Sequence, residues 1–450
     1  TRVRSSAASD VYKRQIVPNI EKGIYPFQGM KLERADVEWL LATHERGRGP
    51  VHWSNETERE REGLDVRGAD LRQVDLRSLP LTRLRGSLTF AEQLEATEEQ
   101  LAMAHVLMEK ADLRVASLEG AFLSGVSLKG TFLNGAKLEG ADLTIAKLEG
   151  AFLSRAILDG AFLNEAWLEG ADLTMAKLEG TFLSGARLEG AFLSGAKLEG
   201  ANLERANLEG AFLYLTGLEG ANLTEAKLGR ANLSEARLER ANLRDVTLSG
   251  KSRVGPHLAD IQWSNINLAV VDWSQMTILG EEDEVRQKKT YNGNMKDKGS
   301  HLSGYQTAVR ANRQLAVALQ TQGLNEEAAR FAYRAQRLQR IVLRRQHKVW
   351  SYLFSGFLDL IAGYGYKPVR SILAYLLLIG GFALAFYSFG HLKWYEALVV
   401  SLTAFHGRGF FSQQYQPGDP QSMIAAIEAV VGLLIEVSFI ATFTQRFFGK

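Results

Sequence analysis

Few residues in this chain have the type and spacing to do chemistry. Its eight histidines are scattered without metal-ligand spacing, and it has no cysteine, which excludes disulfides and thiolate metal sites and fits a reducing compartment. The acids between residues 111 and 250 are interspersed with Lys and Arg rather than paired for acid–base catalysis. Gly407 and Gly409 make a Gly-x-Gly pair, but the preceding strand and the third glycine of a dinucleotide fingerprint are missing. No enzymatic activity, cofactor or metal is expected. What stands out is charge inside apolar sequence: His406 and Arg408 in a glycine turn, and Glu428 and Glu436 in the run 422–444. Ionisable groups in such runs are costly and tend to be functional. The chemistry they suit is the passage or exclusion of ions.

The elements that must position these residues are apolar. Runs 371–389 and 422–444 read as bilayer spans. Between them lie a short apolar helix at 394–404 and a filter-like turn at 405–409, carrying Phe405, His406, Gly407, Arg408 and Gly409, with Thr403 just before it. Span, re-entrant helix, glycine turn, span is the layout of a pore loop, since non-helical backbone at membrane depth survives only when buried in protein or lining a water path. Arg408 has two readings: a ring of four at the outer mouth of a tetramer, favouring anions, or a sideways brace on Glu428. His406 is either a pH-sensitive pore residue or a packed neutral one. Glu428 and Glu436 lie eight residues apart, about 80° around a helix. Glu428 is expected behind the pore loop and Glu436 in the inner cavity, one turn below Gly432; acids paired between subunits are the alternative.

Residues 370–450 resemble the two-transmembrane potassium-channel pore family. The resemblance is carried by Trp394-Tyr395-Glu396-Ala397-Leu398, Ser401-Leu402-Thr403, the Gly407-x-Gly409 pair, and Ile427-Glu428-Ala429 followed by Gly432. It implies a homotetramer around a central pore lined by the second span, with Gly432 as a bending point. Glu436 looks like the cavity acid of the inward-rectifier branch. Where the family has Thr-Val-Gly-Tyr-Gly this chain has Phe405-His406-Gly407-Arg408-Gly409. Potassium selectivity is therefore not carried over, and an anion-selecting or non-selective filter is expected.

Most of the remaining chain is repetitive. From Ala111 to Gly250 a five-residue period runs unbroken through 28 pentapeptides, each with a small residue, a variable one and then leucine. Neither a helical nor a strand period explains it. The run resembles the pentapeptide-repeat family, whose fold is a right-handed quadrilateral β-solenoid with four pentapeptides per coil. That resemblance implies seven coils, a rod of roughly 30–35 Å at the inter-strand spacing. The small residue and the leucine point inward. Residues twenty apart then stack, so Phe132, Phe152, Phe192 and Phe212 should make one outward stripe and Phe122, Phe162 and Phe182 the opposite one. These stripes are candidate protein contacts; the plain alternative is that the rings lie flat on the rod. The region has 14 basic and 19 acidic residues, too balanced for a DNA mimic that binds topoisomerase.

The chain divides into 1–15, read as non-native or disordered, and an N-terminal segment 16–62. Partial coils at 63–88, an inserted helix at 89–110 and the solenoid at 111–279 follow. A charged linker spans 280–300, a basic helical hairpin 301–348, an interfacial segment 349–368 and the two-span pore domain 369–450. The hairpin distantly resembles one tetratricopeptide unit through Ala328, Ala329, Ala332 and Ala335. Its nine Lys/Arg against two Glu satisfy the positive-inside rule, as do Lys367, Arg370, Arg446 and Lys450. No secretory leader is expected, because the first long apolar run lies beyond residue 350. The fold expected is a β-solenoid plus an α-helical hairpin plus a two-span α-helical membrane pore domain with a re-entrant pore helix. The function expected is a channel subunit of a bacterial inner membrane, both termini and the solenoid cytoplasmic. Its partners would be itself, inorganic ions, membrane lipid and a protein on the solenoid, with no nucleic acid. A membrane-anchored, non-conducting scaffold is the rival reading.

Overall fold

The computed structural model describes residues 19–250, 252–287, 295, 297–390, 392–407 and 419–447. It divides into two units, Thr1–Gln287 and Lys288–Lys450.

In the first unit, each pentapeptide turns the chain by a quarter of a coil. The leucine carbonyl accepts from the amide three residues on, as in Ala116 N–H to Leu113 O at 3.0 Å, and the residue two before that amide's successor lies at positive φ, as at Val115 (φ 58°). That is a type II turn, which favours glycine at its third position. Successive coils pair in parallel at a twenty-residue step, from Leu107 with Ser127 to Lys227 with Thr247. The inward alanines and leucines are buried, Ala151 at 0% and Leu173 at 1% exposure, so every coil presents a closed apolar layer to the next. Burying one such leucine contributes roughly 1.5–3 kcal/mol.

The period continues below residue 111. Asp65 pairs with Arg85 at the twenty-residue step, whereas Asp70 pairs with Leu107 and Arg85 with Phe122. Residues 63–88 are thus a full part of the solenoid, and the extra chain is looped out between its coils. The single inserted helix expected at 89–110 is two short ones. α2 (Phe90–Gln93) and α3 (Glu98–Ala104) each start on a reciprocal Thr capping box, at Thr89–Glu92 and Thr97–Gln100. Leu94 is 74% exposed, while Val106 and Met108 are fully buried as coil residues. The stretch expected to be one helix therefore divides, its last residues from Val106 on belonging to the coils.

Both ends of the solenoid are covered. At the first coil, Leu32 N–H donates to Asp70 O at 3.0 Å and Asp70 N–H to Met30 O at 2.8 Å. Leu32 and the buried face of α1 (Arg34–Gly47), formed by Val37, Leu40 and Leu41, close the apolar layer there. At the other end, α4 (Gly280–Arg286) occupies part of the stretch expected to be linker, with Glu281, Glu282 and Val285 buried. One Glu281 oxygen accepts from both Leu258 and Ala259 N–H at 2.6 Å, standing in for the coil that would come next. Unpaired edge amides invite aggregation, and covering them is how repeat folds end.

The second unit is helical. α5 (Lys298–Thr321) and α6 (Asn325–Arg345) form the hairpin, joined through Gly323 at φ 79°. α7 (Val349–Ala362) leads through the tight turn at Gly363 to α8 (Pro368–Gly390), and α9 (Trp394–Phe405) and α10 (Pro420–Phe447) follow. Val369–Phe389 and Pro420–Val437 are long and apolar enough to cross a membrane.

Candidate functional site

α8 and α10 run antiparallel. At one end the Gln421 side chain donates to Phe389 O at 3.0 Å; further along, Ile379 and Ile435 share a core. α9 packs between them and runs back alongside α8 only as far as Tyr375, whose ring meets Phe405 edge-on at 4.9 Å. Its N-terminal turn is held by Glu396, which accepts from Lys393 N–H at 3.1 Å. Ala397 and Ala404, both buried, let it lie close to Phe386 and Ala425. The described chain leaves α9 through Gly407 at φ 65°, whose N–H donates to Ala404 O, and resumes at Asp419.

Three contacts fix α9 to α10 one helical turn apart. Glu428 is fully buried and hydrogen-bonds through one carboxyl oxygen to Ser401, whose hydroxyl also lies 2.9 Å from Ile379 O. Gly432 lies against the end of α9: a Cβ there would sit 2.1 Å from the Phe405 carbonyl oxygen. α10 continues through Gly432 as helix, so in this conformation the glycine allows a close approach and marks no bend. Glu436 approaches His406, Oε1 to Nε2 at 3.3 Å. His406 Nδ1 donates to Leu402 O at 2.8 Å, which turns its Nε2 toward Glu436.

Of the expected filter residues, Phe405 is a core residue at 1% exposure. The Thr403 hydroxyl turns back onto its own helix, to Val399 O and Val400 O at 2.9 Å. Gly407 has open space around it. Arg408 and Gly409 lie outside the described residues. Ser401, named above only for the family resemblance, brings Glu428 and α8 together, a role its place in an apolar helix four residues before Phe405 could have signalled.

A second polar cluster escaped the sequence reading. Asp359 on α7 accepts from Tyr333 Oη and Arg340 Nη1, both at 2.9 Å, and meets Arg370 Nη1 at 3.5 Å. It ties α6, α7 and the start of α8 together. The lone acid in the otherwise apolar and aromatic stretch 349–366 was the sign of it.

On the solenoid the seven phenylalanines do fall on two ladders, but not as continuous stripes. Phe132 stacks on Phe152 at 5.1 Å and Phe192 on Phe212 at 4.9 Å, with Asp172 on the ladder between the pairs. On the other ladder Phe162 stacks on Phe182 at 5.0 Å, while Asp142 separates them from Phe122, which lies under the Arg83 guanidinium. Both aspartates accept from their own chain two residues on, Thr144 and Thr174 N–H at 3.0 Å. The outcome is two-ring patches about 40% exposed, such as Phe162 and Phe182 at 42% and 41%.

No curated protein matches the chain. The family model for pentapeptide repeats matches 8 copies, over residues 108–144, 146–174, 176–214 and 218–250. Solved structures similar to this chain include trypsin-treated QnrB1, a plasmid-mediated fluoroquinolone resistance protein, at 19% identity over 36% of this chain and 80% of that one, TM-score 0.34. HetL, a pentapeptide repeat protein involved in heterocyst differentiation regulation from the cyanobacterium Nostoc, is 28% identical over 43% of this chain and 86% of its own, TM-score 0.24. A pentapeptide repeat protein of the Arabidopsis thaliana thylakoid lumen is 34% identical over 25% of this chain and 68% of its own, TM-score 0.11. Residues 108–250 are therefore a run of pentapeptide repeats, wound as a β-solenoid.

Proposed function

We propose that the chain is a subunit of a homotetrameric ion channel in a bacterial inner membrane, with a potassium-channel-like pore and a pentapeptide-repeat solenoid as its cytoplasmic regulatory module. The observation that carries this reading is α9: an apolar helix that returns only part of the way along α8 and stops at a glycine, beside a second apolar helix. A helix of that kind at membrane depth has a purpose where it aims the chain that follows it at a water path. The filter departs from the potassium pattern at Phe405, His406 and Arg408, so the reading includes anion selectivity or none, with four Arg408 side chains at the mouth. Planar-bilayer recording of the purified protein in asymmetric KCl tests it. A reversal potential shifted toward chloride and lost in Arg408→Ala supports the ring of arginines; the absence of unitary current under varied pH and salt refutes conduction.

A second reading has its own support. The paired, half-exposed phenylalanines are surfaces suited to a protein partner. A membrane-anchored scaffold that presents them without conducting would survive the loss of every current. Substituting Phe162 and Phe182 together by Ser, and finding partner capture unchanged, would defeat it.

A further inference from the structure

We propose that α4 is a pH-operated clasp: the imidazolium of His257 holds this helix on the end of the solenoid, and loss of its proton frees the helix and lengthens the connection to the second unit. The inference does not depend on conduction and adds a regulatory device to the solenoid.

The contacts of α4 with the coils run largely through its acids. One Glu281 oxygen accepts from Leu258 and Ala259 N–H, Asp283 meets Arg230 at 3.4 Å, and Glu284 Oε2 lies 3.4 Å from His257 Nε2. Of its buried residues, Gly280, Glu281, Glu282 and Val285, only Val285 has a large apolar side chain. The hold on so short a helix therefore rests on charge more than on apolar burial. The His257 ring lies against the first residue of the helix: a Cβ on Gly280 would sit 2.5 Å from Nδ1. That nitrogen and the second Glu281 oxygen are both buried without a hydrogen-bond partner. Among the described residues the charged groups acting on His257 are Glu284 and Glu281, both from α4; from the coil beneath, Ala231 O accepts its backbone N–H at 2.9 Å.

The proton count decides whether these contacts stand. An imidazolium has two N–H donors, one for Glu284 and one on the side of Gly280 and Glu281, and its charge offsets the buried carboxylate. A neutral imidazole has a single donor and no charge, so one side loses its partner and the Glu281 charge is left buried against two amides. Lifting α4 returns that charge to water. Burial lowers the pKa of His257, but Glu284 and Glu281 outweigh it and hold it above the ordinary value, while burial pushes the Glu281 carboxyl up. Both folded values exceed the unfolded ones, so both contributions are complete at low pH and vanish as pH rises. The helix is the last element of the first unit, which ends at Gln287, and its release adds seven residues to the connection that follows.

The chain has no cysteine, so Gln287→Cys gives the full-length protein, purified in detergent, one site for a nitroxide spin label beside α4. Read between pH 6 and 9, its electron paramagnetic resonance line shape gains a mobile component, whose ratio to the immobile one rises with pH toward the one-proton limit of about tenfold per pH unit. The same label on Lys177→Cys, an exposed position in the solenoid, does not respond. Adding Glu284→Gln, a change at an exposed residue, moves the transition to lower pH. Adding Glu281→Gln, which keeps an oxygen for the two amides but carries no charge, leaves the Gln287→Cys label immobile up to pH 9. A Gln287→Cys line shape that stays constant from pH 6 to 9, an unshifted transition with Glu284→Gln, or undiminished release with Glu281→Gln would overturn the proposal. The label reports on α4 alone, so an absence of current in bilayers leaves this result untouched, and a rigid α4 leaves the channel reading untouched.

Discussion

Replacing Gly432 by alanine should unfold the C-terminal unit more readily, and the size of the effect follows from one contact. The added Cβ would lie 2.1 Å from the Phe405 carbonyl oxygen and 3.0 Å from its carbon. Ordinary contact between such atoms is about 3.3 Å, so α9 and α10 must separate by roughly an ångström, and backbone cannot rotate away as a side chain can. Overpacking of this kind costs about 1–3 kcal/mol, and the gap opened around Phe405 and Tyr375 removes further dispersion contact. Alanine returns roughly 1 kcal/mol through its better helix propensity. The net is a loss of about 1 kcal/mol, a fall of about 2–4 °C in the melting temperature of a unit this size. Helical circular dichroism of the detergent-solubilised protein reports it, since the other unit is mostly β. Gly380→Ala and Gly381→Ala are the controls, because nothing lies within 4 Å of a Cβ at either position. They should be neutral or slightly stabilising. A Gly432→Ala protein as stable as the parent, or controls that lose as much, would refute the close-approach account and return Gly432 to the role of a hinge.

Other outcomes can be measured on the same protein. Ile145 and Val115 hold φ of 52° and 58°, a region unfavourable for β-branched residues, so Ile145→Gly and Val115→Gly should each stabilise the solenoid by about 0.5–1 kcal/mol in denaturant titration. Leu173→Ala, at a 1% exposed position, should cost about 2–5 kcal/mol, whereas Lys177→Ala on the outer surface should change stability by less than about 0.5 kcal/mol. Burial lowers the pKa of His257, but its hydrogen bond to Glu284 and the charges of Glu281 and Glu284 outweigh that and raise it above 6.5. Because the folded value is the higher one, this stabilisation is complete below the unfolded value and disappears as pH rises through the folded value. Thermal melts between pH 6 and 9 should show the solenoid weakening with rising pH, and His257→Gln should flatten that dependence.

The five-residue period by itself marked residues 111–250 as one repeat that neither a helix nor a strand explains; the return every twenty residues was what the resemblance to the pentapeptide-repeat family implied, and the observed pairing has that step. The helices of the C-terminal unit were equally legible, from apolar length and from the glycines at 323 and 407. What the period could not reveal was contact across distant sequence. Residues 29–41 and 280–286 carry no repeat, and their work as end covers exists only because the coils leave amides and apolar layers open for Leu32 and Glu281 to close. Residues 89–110 were expected as one inserted helix, yet the helices end at Ala104 and Val106 and Met108 are buried in a coil, where the neighbouring apolar layers receive them. In the same way Glu428 finds Ser401, Gly432 finds the Phe405 carbonyl and Asp359 finds Arg340 across 27, 27 and 19 residues, distances over which only packing decides which polar groups meet.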